Sequence, residues 1–179
     1  DGSAEMNALI SIGHVEATAL AFFCVLMIIA AIQDAMTMKI SNRISVLLIL
    51  GFLAYAASAS IAPLEVAIRA ATMIAIFAIL LVPYHYNLMG GGDVKLMAAG
   101  SLWFQAPEPL FLFIALTSIF GGLVTLVLQV MRTMPMPILL YRSEAFDRWQ
   151  RNSRYVPYGI GIGAGALIAQ YLLLTPFMR

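Results

Sequence analysis

Long apolar runs alternate with short polar stretches along the whole chain. A helix that crosses a bilayer needs about 20 predominantly apolar residues. The runs predict six membrane-spanning helices, at about 17–33, 44–61, 66–82, 93–104, 110–131 and 158–177. The fourth is short, since about 12 residues give about 18 Å against a hydrocarbon core of about 30 Å. We therefore expect an all-α polytopic membrane protein in which residues 87–92 are non-helical and line a wet or protein-buried cavity.

The amino-acid composition supports this fold class. Of the 179 residues, 62% are hydrophobic and 11% are charged, whereas a soluble domain has about 45–50% apolar and about 25% charged residues. This balance excludes a soluble globular domain and a disordered chain. The net charge of +1 argues against a nucleic-acid partner, and the lone cysteine, Cys24, makes neither an internal disulfide nor a CxxC metal site. We expect no metal and no cofactor in a single membrane-embedded domain over residues 1–179, of which residues 1–5 are a cloning remnant before a native start at Met6.

Basic residues gather on one side of the predicted bundle. Eight of the ten Lys and Arg residues lie in the loops on that side: Lys39, Arg43, Lys95, Arg132, Arg142, Arg148, Arg151 and Arg154. By the positive-inside rule this side is cytoplasmic, and an even number of spans then places both termini outside. In the cytoplasmic loop over residues 132–157, residues 143–154 fit either a basic amphipathic helix on the membrane surface or a solvated loop. On the opposite side, the spacing of Glu65 and Arg69 predicts an ion pair.

Two aspartates lie on the predicted cytoplasmic side, where the first helix ends and the fourth begins. Taken alone, Asp34 fits an interfacial anchor, and Asp93 fits an anchor or a helix N-cap. Taken together they favour function, because charged groups near membrane depth are costly and are usually retained for a role. Two carboxylates brought together do not both ionise easily, so such a pair holds one proton. That is the working state of an aspartyl protease, in which one carboxylate takes a proton from water and the other polarises the scissile carbonyl.

Two groups of glycines accompany the aspartates. Gly90, Gly91 and Gly92 leave the backbone beside Asp93 bare, which allows positive φ and the close approach of an extended substrate backbone. The alternative is a plain flexible turn, whereas the known phosphate-loop and dinucleotide patterns do not match. In the last helix, residues 159 and 163 and residues 161 and 165 form two GxxxG pairs, which predict close helix packing.

Three sequence blocks together resemble the type IV prepilin peptidase family. Residues 90–95, Gly-Gly-Gly-Asp-Val-Lys, are similar to its GxGD block. Asp34 followed by Lys-Ile-Ser-Asn at residues 39–42 is similar to its first block, with Ser41 in place of the usual proline. Val-Pro-Tyr-Gly at residues 156–159 is similar to the start of its last helix. The blocks occur in the family's order within a six-span layout, so the resemblance covers nearly the whole chain.

The resemblance implies a function and a set of site residues. It implies a membrane aspartyl endopeptidase of the bacterial inner membrane, which removes the leader peptides of prepilins and pseudopilins on the cytoplasmic side. The paired CxxC motifs of larger bifunctional members are missing from this sequence, which is typical of the short peptidase-only branch that serves tight-adherence (Flp-type) pili. The implied catalytic residues are Asp34 and Asp93. The implied supporting residues are Gly90, Gly91, Gly92, Lys95, Lys39, Asn42, Pro157, Tyr158 and Gly159.

Two other functions remain open at the level of the sequence. A small proton- or cation-coupled carrier could use the same pair of acids, although both lie at one face and not at the midplane, and no inverted repeat is evident. An assembly subunit of a membrane complex would depend on the GxxxG faces and not on the acids. Pilin substrates and the lipid bilayer are the expected partners of the peptidase, whereas ion-dependent flux in proteoliposomes would identify the carrier.

Overall fold

A computed structural model describes residues 2–105, 107–133 and 156–174 of the chain, with the side chains described from residue 13 onward. The described residues form six α-helices: α1 (Gly2–Thr37), α2 (Asn42–Ser58), α3 (Pro63–His85), α4 (Gly91–Ser101), α5 (Glu108–Thr133) and α6 (Tyr158–Leu174). No strand occurs within these ranges. The prediction of an all-α polytopic protein with about six helices, the fourth short, is confirmed. The amphipathic helix considered for residues 143–154 lies outside the described residues.

The helices of the bundle differ in whether they are long enough to cross a membrane. Within the described residues, three helices are long and apolar enough to cross a membrane: Gly13–Thr37 within α1, then α3 and α5. The apolar helices α2 and α6 have 17 residues each. Helix α4 has 11 residues, which give a length of about 16 Å, or roughly half of a bilayer's hydrocarbon core. Helix α1 starts well before the predicted residue 17, because hydropathy marks only its apolar part while the helical backbone continues.

The turn between α1 and α2 is fixed by side-chain hydrogen bonds. Gln33 Oε1 accepts the Ser41 N–H at 3.0 Å, and Ser41 Oγ accepts the Arg43 N–H at 3.3 Å, which makes Ser41 the N-cap of α2. Serine is among the preferred N-cap residues. Ser41, which stands where the resemblance implies a proline, therefore still begins a helix. Met38 and Asn87, with φ of 54° and 55°, end α1 and α3 in the left-handed conformation.

Helix α6 packs between α1 and α5 through two bare glycine faces. A Cβ atom at Gly161 would lie 2.5 Å from the Gly121 backbone nitrogen of α5. Gly163 is two residues further on and so lies on the other side of the helix, facing α1, where a Cβ atom would lie 3.1 Å from the Met27 carbonyl oxygen. Both GxxxG pairs therefore give close helix packing, as their spacing predicts, with backbone atoms in contact at Gly161, Gly163 and Gly165.

Helix α4 lies inside the bundle, where it packs against α2, α3 and α6. From Asp93 onward its residues are buried, apart from the exposed Lys95. At the end farther from Asp93, the Trp103 indole N–H donates to the Leu48 carbonyl oxygen at 3.2 Å. A helix too short to span is thereby held by longer neighbours on several sides.

Arg69 ties α3 to its neighbours at that same end of the bundle. Its guanidinium forms the predicted ion pair with Glu65, and it also donates to the Leu102 carbonyl oxygen at 3.4 Å. The guanidinium carbon lies 5.6 Å from the centre of the Phe52 ring of α2, within the range of a cation–π contact. One side chain thus links α2, α3 and the segment after α4.

Candidate active site

Four helix ends surround one cavity of about 690 Å³. They are the C-terminal ends of α1 and α3 and the N-terminal ends of α4 and α6, together with the two turns that follow α1 and α3. The residues that line the cavity are Asp34, Thr37, Met38, Lys39, Ile40, Tyr84, Asn87, Leu88, Met89, Gly90, Gly91, Gly92, Asp93, Val156 and Tyr158. Residues 87–92, expected to line a cavity, therefore do so, although the helix begins within this stretch.

Asp34 occupies the last turns of α1 and is held by the start of α6. Its carboxylate is buried, with 4% of the residue exposed, and Oδ2 accepts the Gly159 backbone N–H at 2.7 Å. Only glycine fits at 159, because a Cβ atom there would lie 2.8 Å from Asp34 Oδ2 and 2.8 Å from the Ile40 side chain. The glycine of the Pro-Tyr-Gly block therefore brings a backbone donor up to the carboxylate.

Asp93 lies in the first turn of α4, three residues after the N-cap residue Gly90. Its Oδ2 accepts the Gly90 N–H at 3.2 Å, which satisfies a donor at the helix start. Asp93 is therefore not the N-cap residue itself, and α4 begins at Gly91, two residues earlier than the sequence predicts. The other oxygen, Oδ1, is buried and has no hydrogen-bond partner among the described residues. One oxygen of Asp93 thus serves the helix, while the second is left for another group.

The two aspartates meet in this cavity from different helices. Both line the cavity, and the Gly159 backbone N–H donates to Asp34 Oδ2 at 2.7 Å. Since Asp34 and Asp93 are both almost fully buried, two negative charges here would be poorly solvated. The arrangement suits a pair of carboxyl groups that holds one proton.

The three glycines before Asp93 provide space and not unusual backbone angles. Among the described residues, no glycine has a positive φ. A Cβ atom at Gly90 would lie 2.8 Å from Asp93 Oδ2, and one at Gly92 would lie 3.1 Å from Ile40 Cβ. A Cβ atom at Gly91 would approach the Tyr84 ring to 3.2 Å. Because these glycines have no side chains, the Asp93 carboxylate, Ile40 in the α1–α2 turn and the Tyr84 ring can all lie close to the backbone of residues 90–92.

The other residues implied by the resemblance divide into two groups. Lys39 and Tyr158 border the cavity, and Pro157 is buried just before α6. Lys95 and Asn42 do not border it: Lys95 Nζ donates to Asn42 Oδ1 at 3.0 Å, and both residues lie on a second cavity. Lys95 follows Asp93 by two positions, which places it on a different face of α4.

Some cavity residues had no signal in the sequence. Tyr84 ends up on the wall because α3 runs past its internal Pro83 as far as His85. Thr37 and Met38 also line the cavity, since the chain turns there with Met38 in the left-handed conformation. Their closeness to Asp34 along the chain is the one sequence feature that could have indicated that these two residues line the cavity.

Comparisons with known proteins identify one family. The family model described as the type IV leader peptidase family matches residues 21–126. That stretch includes both aspartates and the three glycines, and it ends before α6. No curated protein and no solved structure matches the chain significantly.

Proposed function

Because the chain belongs to the type IV leader peptidase family, we propose that it is a membrane aspartyl endopeptidase that removes the leader peptides of Flp-type prepilins and pseudopilins. Family membership makes it a membrane protease in general terms. The observation that carries the finer proposal is the meeting of Asp34 and Asp93, from separate helices, in one cavity. A peptide cleaved there needs no covalent intermediate.

The two carboxyl groups take different roles in the proposed hydrolysis. Asp34, which accepts the short Gly159 hydrogen bond, is the ionised member and takes a proton from the attacking water. Asp93, with its unpartnered Oδ1, carries the shared proton and gives it to the carbonyl oxygen of the scissile bond. The resulting diol collapses as Asp34 passes its proton to the leaving nitrogen and a diol hydroxyl returns a proton to Asp93. The pair ends with the single proton with which it began.

The substrate backbone lies along the glycine segment in this proposal. Gly90 and Gly91 border the cavity beside Asp93, with the Tyr84 ring next to Gly91. An extended leader could add to the bare backbone as a strand does to a sheet edge. The small residue before a leader cleavage site would then come close to both carboxyl groups.

The charge distribution supports a cytoplasmic active site. Lys39 borders the cavity, and Arg43 and Lys95 lie at the same end of the bundle, where α2 and α4 begin. Glu16 and Glu108 lie at the opposite end. With the basic end on the cytoplasmic side of the bacterial inner membrane, the cavity would face the leader of a pilin anchored in the same bilayer, and both termini would be outside.

A cleavage assay on isosteric variants tests the proposal. The purified chain, Asp34→Asn and Asp93→Asn would each be mixed with a Flp-type prepilin in detergent or lipid, and the products would be read by mass spectrometry. Glu16→Gln is the matched control, because it neutralises an exposed acid of α1 at the far end of the bundle. We expect one cut at the leader junction by the native chain and the control, and none by either aspartate variant.

Two results would contradict the proposal. Normal cleavage by either folded aspartate variant would show that the pair is not catalytic. A folded native chain that cleaves no prepilin but moves ions in proteoliposomes would instead favour the carrier. Unfolding curves of all four proteins, followed by circular dichroism, would show that each comparison is made on folded protein.

A further inference from the structure

A second cavity of about 380 Å³ lies outside the proposed active site. It is a groove between α2 and α3, with α4 as its floor. Its apolar walls come from Val46, Ile49, Met73, Ile74 and Phe77, and the floor comes from Ala98 and Ala99. The two alanines leave room between the flanking helices for a thin apolar chain. None of these residues borders the cavity that contains the aspartates.

Polar groups are confined to one end of this groove. Lys95 and Asn42, hydrogen-bonded to each other at 3.0 Å, lie at the starts of α4 and α2. Ser45 borders the groove one turn further in, and its hydroxyl has no hydrogen-bond partner in the described part of the chain. The groove is therefore amphipathic along its length. Its cation, Lys95, lies at the same end of the bundle as the active-site cavity, and its apolar walls lie deeper in the bundle.

We infer that this groove is a binding site for an anionic phospholipid. The lysine ammonium and the Asn42 amide would bind the phosphate, the Ser45 hydroxyl would donate to an ester oxygen, and one acyl chain would lie over Ala98 and Ala99. Basic pockets between transmembrane helices on the cytoplasmic side are typical sites for anionic headgroups. A narrow groove with a two-alanine floor suits an acyl chain better than the much wider helix of another protein.

The bound lipid would bridge α2 and α3. Both helices pack on α4, which carries Asp93 in its first turn, and the groove separates them above it. An acyl chain in the groove would fill the space beside the buried floor residues and hold α4 between its neighbours. The proposal concerns lipid binding alone and does not depend on the peptidase activity.

Tryptophan quenching by brominated lipids tests the site without any substrate. The full chain with Phe77→Trp would carry a reporter on the groove wall, and its emission would be compared with that of the chain that has only its native tryptophans. The vesicles would be phosphatidylcholine with a minor fraction of either brominated phosphatidylglycerol or brominated phosphatidylcholine. We expect the anionic lipid to quench the reporter at about fivefold lower mole fraction, which is the preference that one lysine gives near a membrane surface.

Two variants in the reporter background decide the outcome. Lys95→Gln should abolish the preference, whereas Arg43→Gln should retain it, since Arg43 is an exposed cation near the same surface that does not border the groove. Equal quenching by both lipids in the Phe77→Trp chain, or equal loss in both variants, would overturn the site and leave only general attraction to the membrane. Relief of the quenching by inorganic phosphate would overturn it as well, since it would identify a free-anion site.

Discussion

Replacing Gly159 by alanine places a methyl group where the Asp34 carboxylate now lies. The new Cβ atom would be 2.8 Å from Asp34 Oδ2, 2.8 Å from Asp34 Cβ and 2.8 Å from Ile40 Cδ1. Ile40 Cδ1 is the end of a flexible side chain and can move, but Asp34 Cβ is fixed by α1. The carboxylate must therefore turn away from the Gly159 N–H or α6 must retreat, and either movement breaks the 2.7 Å hydrogen bond.

The size of the effect follows from the bond that is lost. A hydrogen bond to a charged group contributes about 1.5–3 kcal/mol, and each 1.36 kcal/mol of barrier is about a factor of ten in rate. If Asp34 works as the base, kcat/KM should fall by about tenfold to a hundredfold. Gly159 is a positioning residue that acts through Asp34, so the loss should appear in kcat and leave KM nearly unchanged.

Gly163→Ala is the matched control for this substitution. Gly163 lies one turn further along the same face of α6, where the added Cβ atom would be 3.0 Å from Ala31 Cβ and 3.1 Å from the Met27 carbonyl oxygen. It crowds the same contact between α1 and α6 without reaching Asp34. Both variants should lose up to about 1–3 kcal/mol of unfolding free energy from overpacking, measured by thermal unfolding in one detergent.

A comparison of kcat between the two variants tests whether the Gly159 hydrogen bond positions Asp34. At equal stability, Gly159→Ala should lower the steady-state kcat of prepilin cleavage far more than Gly163→Ala does. If the two variants have the same kcat, the Gly159 hydrogen bond does not position the base, and crowding of the helices explains any loss. A rise in KM as the main effect would instead place residue 159 in substrate binding.

Two further predictions concern stability away from the site. Gly161→Ala should lower the unfolding free energy by about 1–3 kcal/mol, because its Cβ atom would meet the Gly121 nitrogen at 2.5 Å. Gly122→Ala is the control and should not lower it, since a Cβ atom there has nothing within 4 Å. Equal unfolding temperatures of the two variants would contradict the packing of α5 on α6. Arg69→Gln should lower the unfolding free energy by about 1–3 kcal/mol, since it removes an ion pair, a cation–π contact and the hydrogen bond to the Leu102 carbonyl oxygen. Unchanged unfolding in denaturant would show that this half-buried cluster contributes nothing.

The helices and the pairing of the aspartates could be predicted from the sequence because both follow local rules. Apolar run lengths predict helices, and the positions of Asp34 and Asp93 at opposite ends of their helices put both at the same side of the bundle. Their roles in catalysis stay a prediction. The start of α4 was misplaced by two residues, because hydropathy cannot register that Asp93 caps the backbone of Gly90 from inside the helix.

The partner of Asp34 could not be predicted from the sequence. Gly159 is distant along the chain, and its contribution is a backbone N–H that any residue but proline has. Only the packing of α6 on α1 selects this amide. Lys95 is a second case: the resemblance implies a supporting role, which stays a prediction, while in the structure its ammonium donates to Asn42 and does not border the cavity of the aspartates.

The bare faces of α6 also affect how Asp34 moves. At an ordinary helix interface, interdigitated side chains set the spacing of the two helices, and a change of rotamer alters that spacing. Glycines have no rotamers, and at positions 161, 163 and 165 the backbone of α6 lies close to backbone atoms of α5 or α1, whereas Gly159 meets the side chains of Asp34 and Ile40. The spacing of α6 from α1 and α5 is thereby set with few side-chain rotamers, and this spacing places the Gly159 N–H beside Asp34. The Gly159 N–H should then move relative to the α1 backbone mainly with the slower collective motions of whole helices, on the microsecond to millisecond scale.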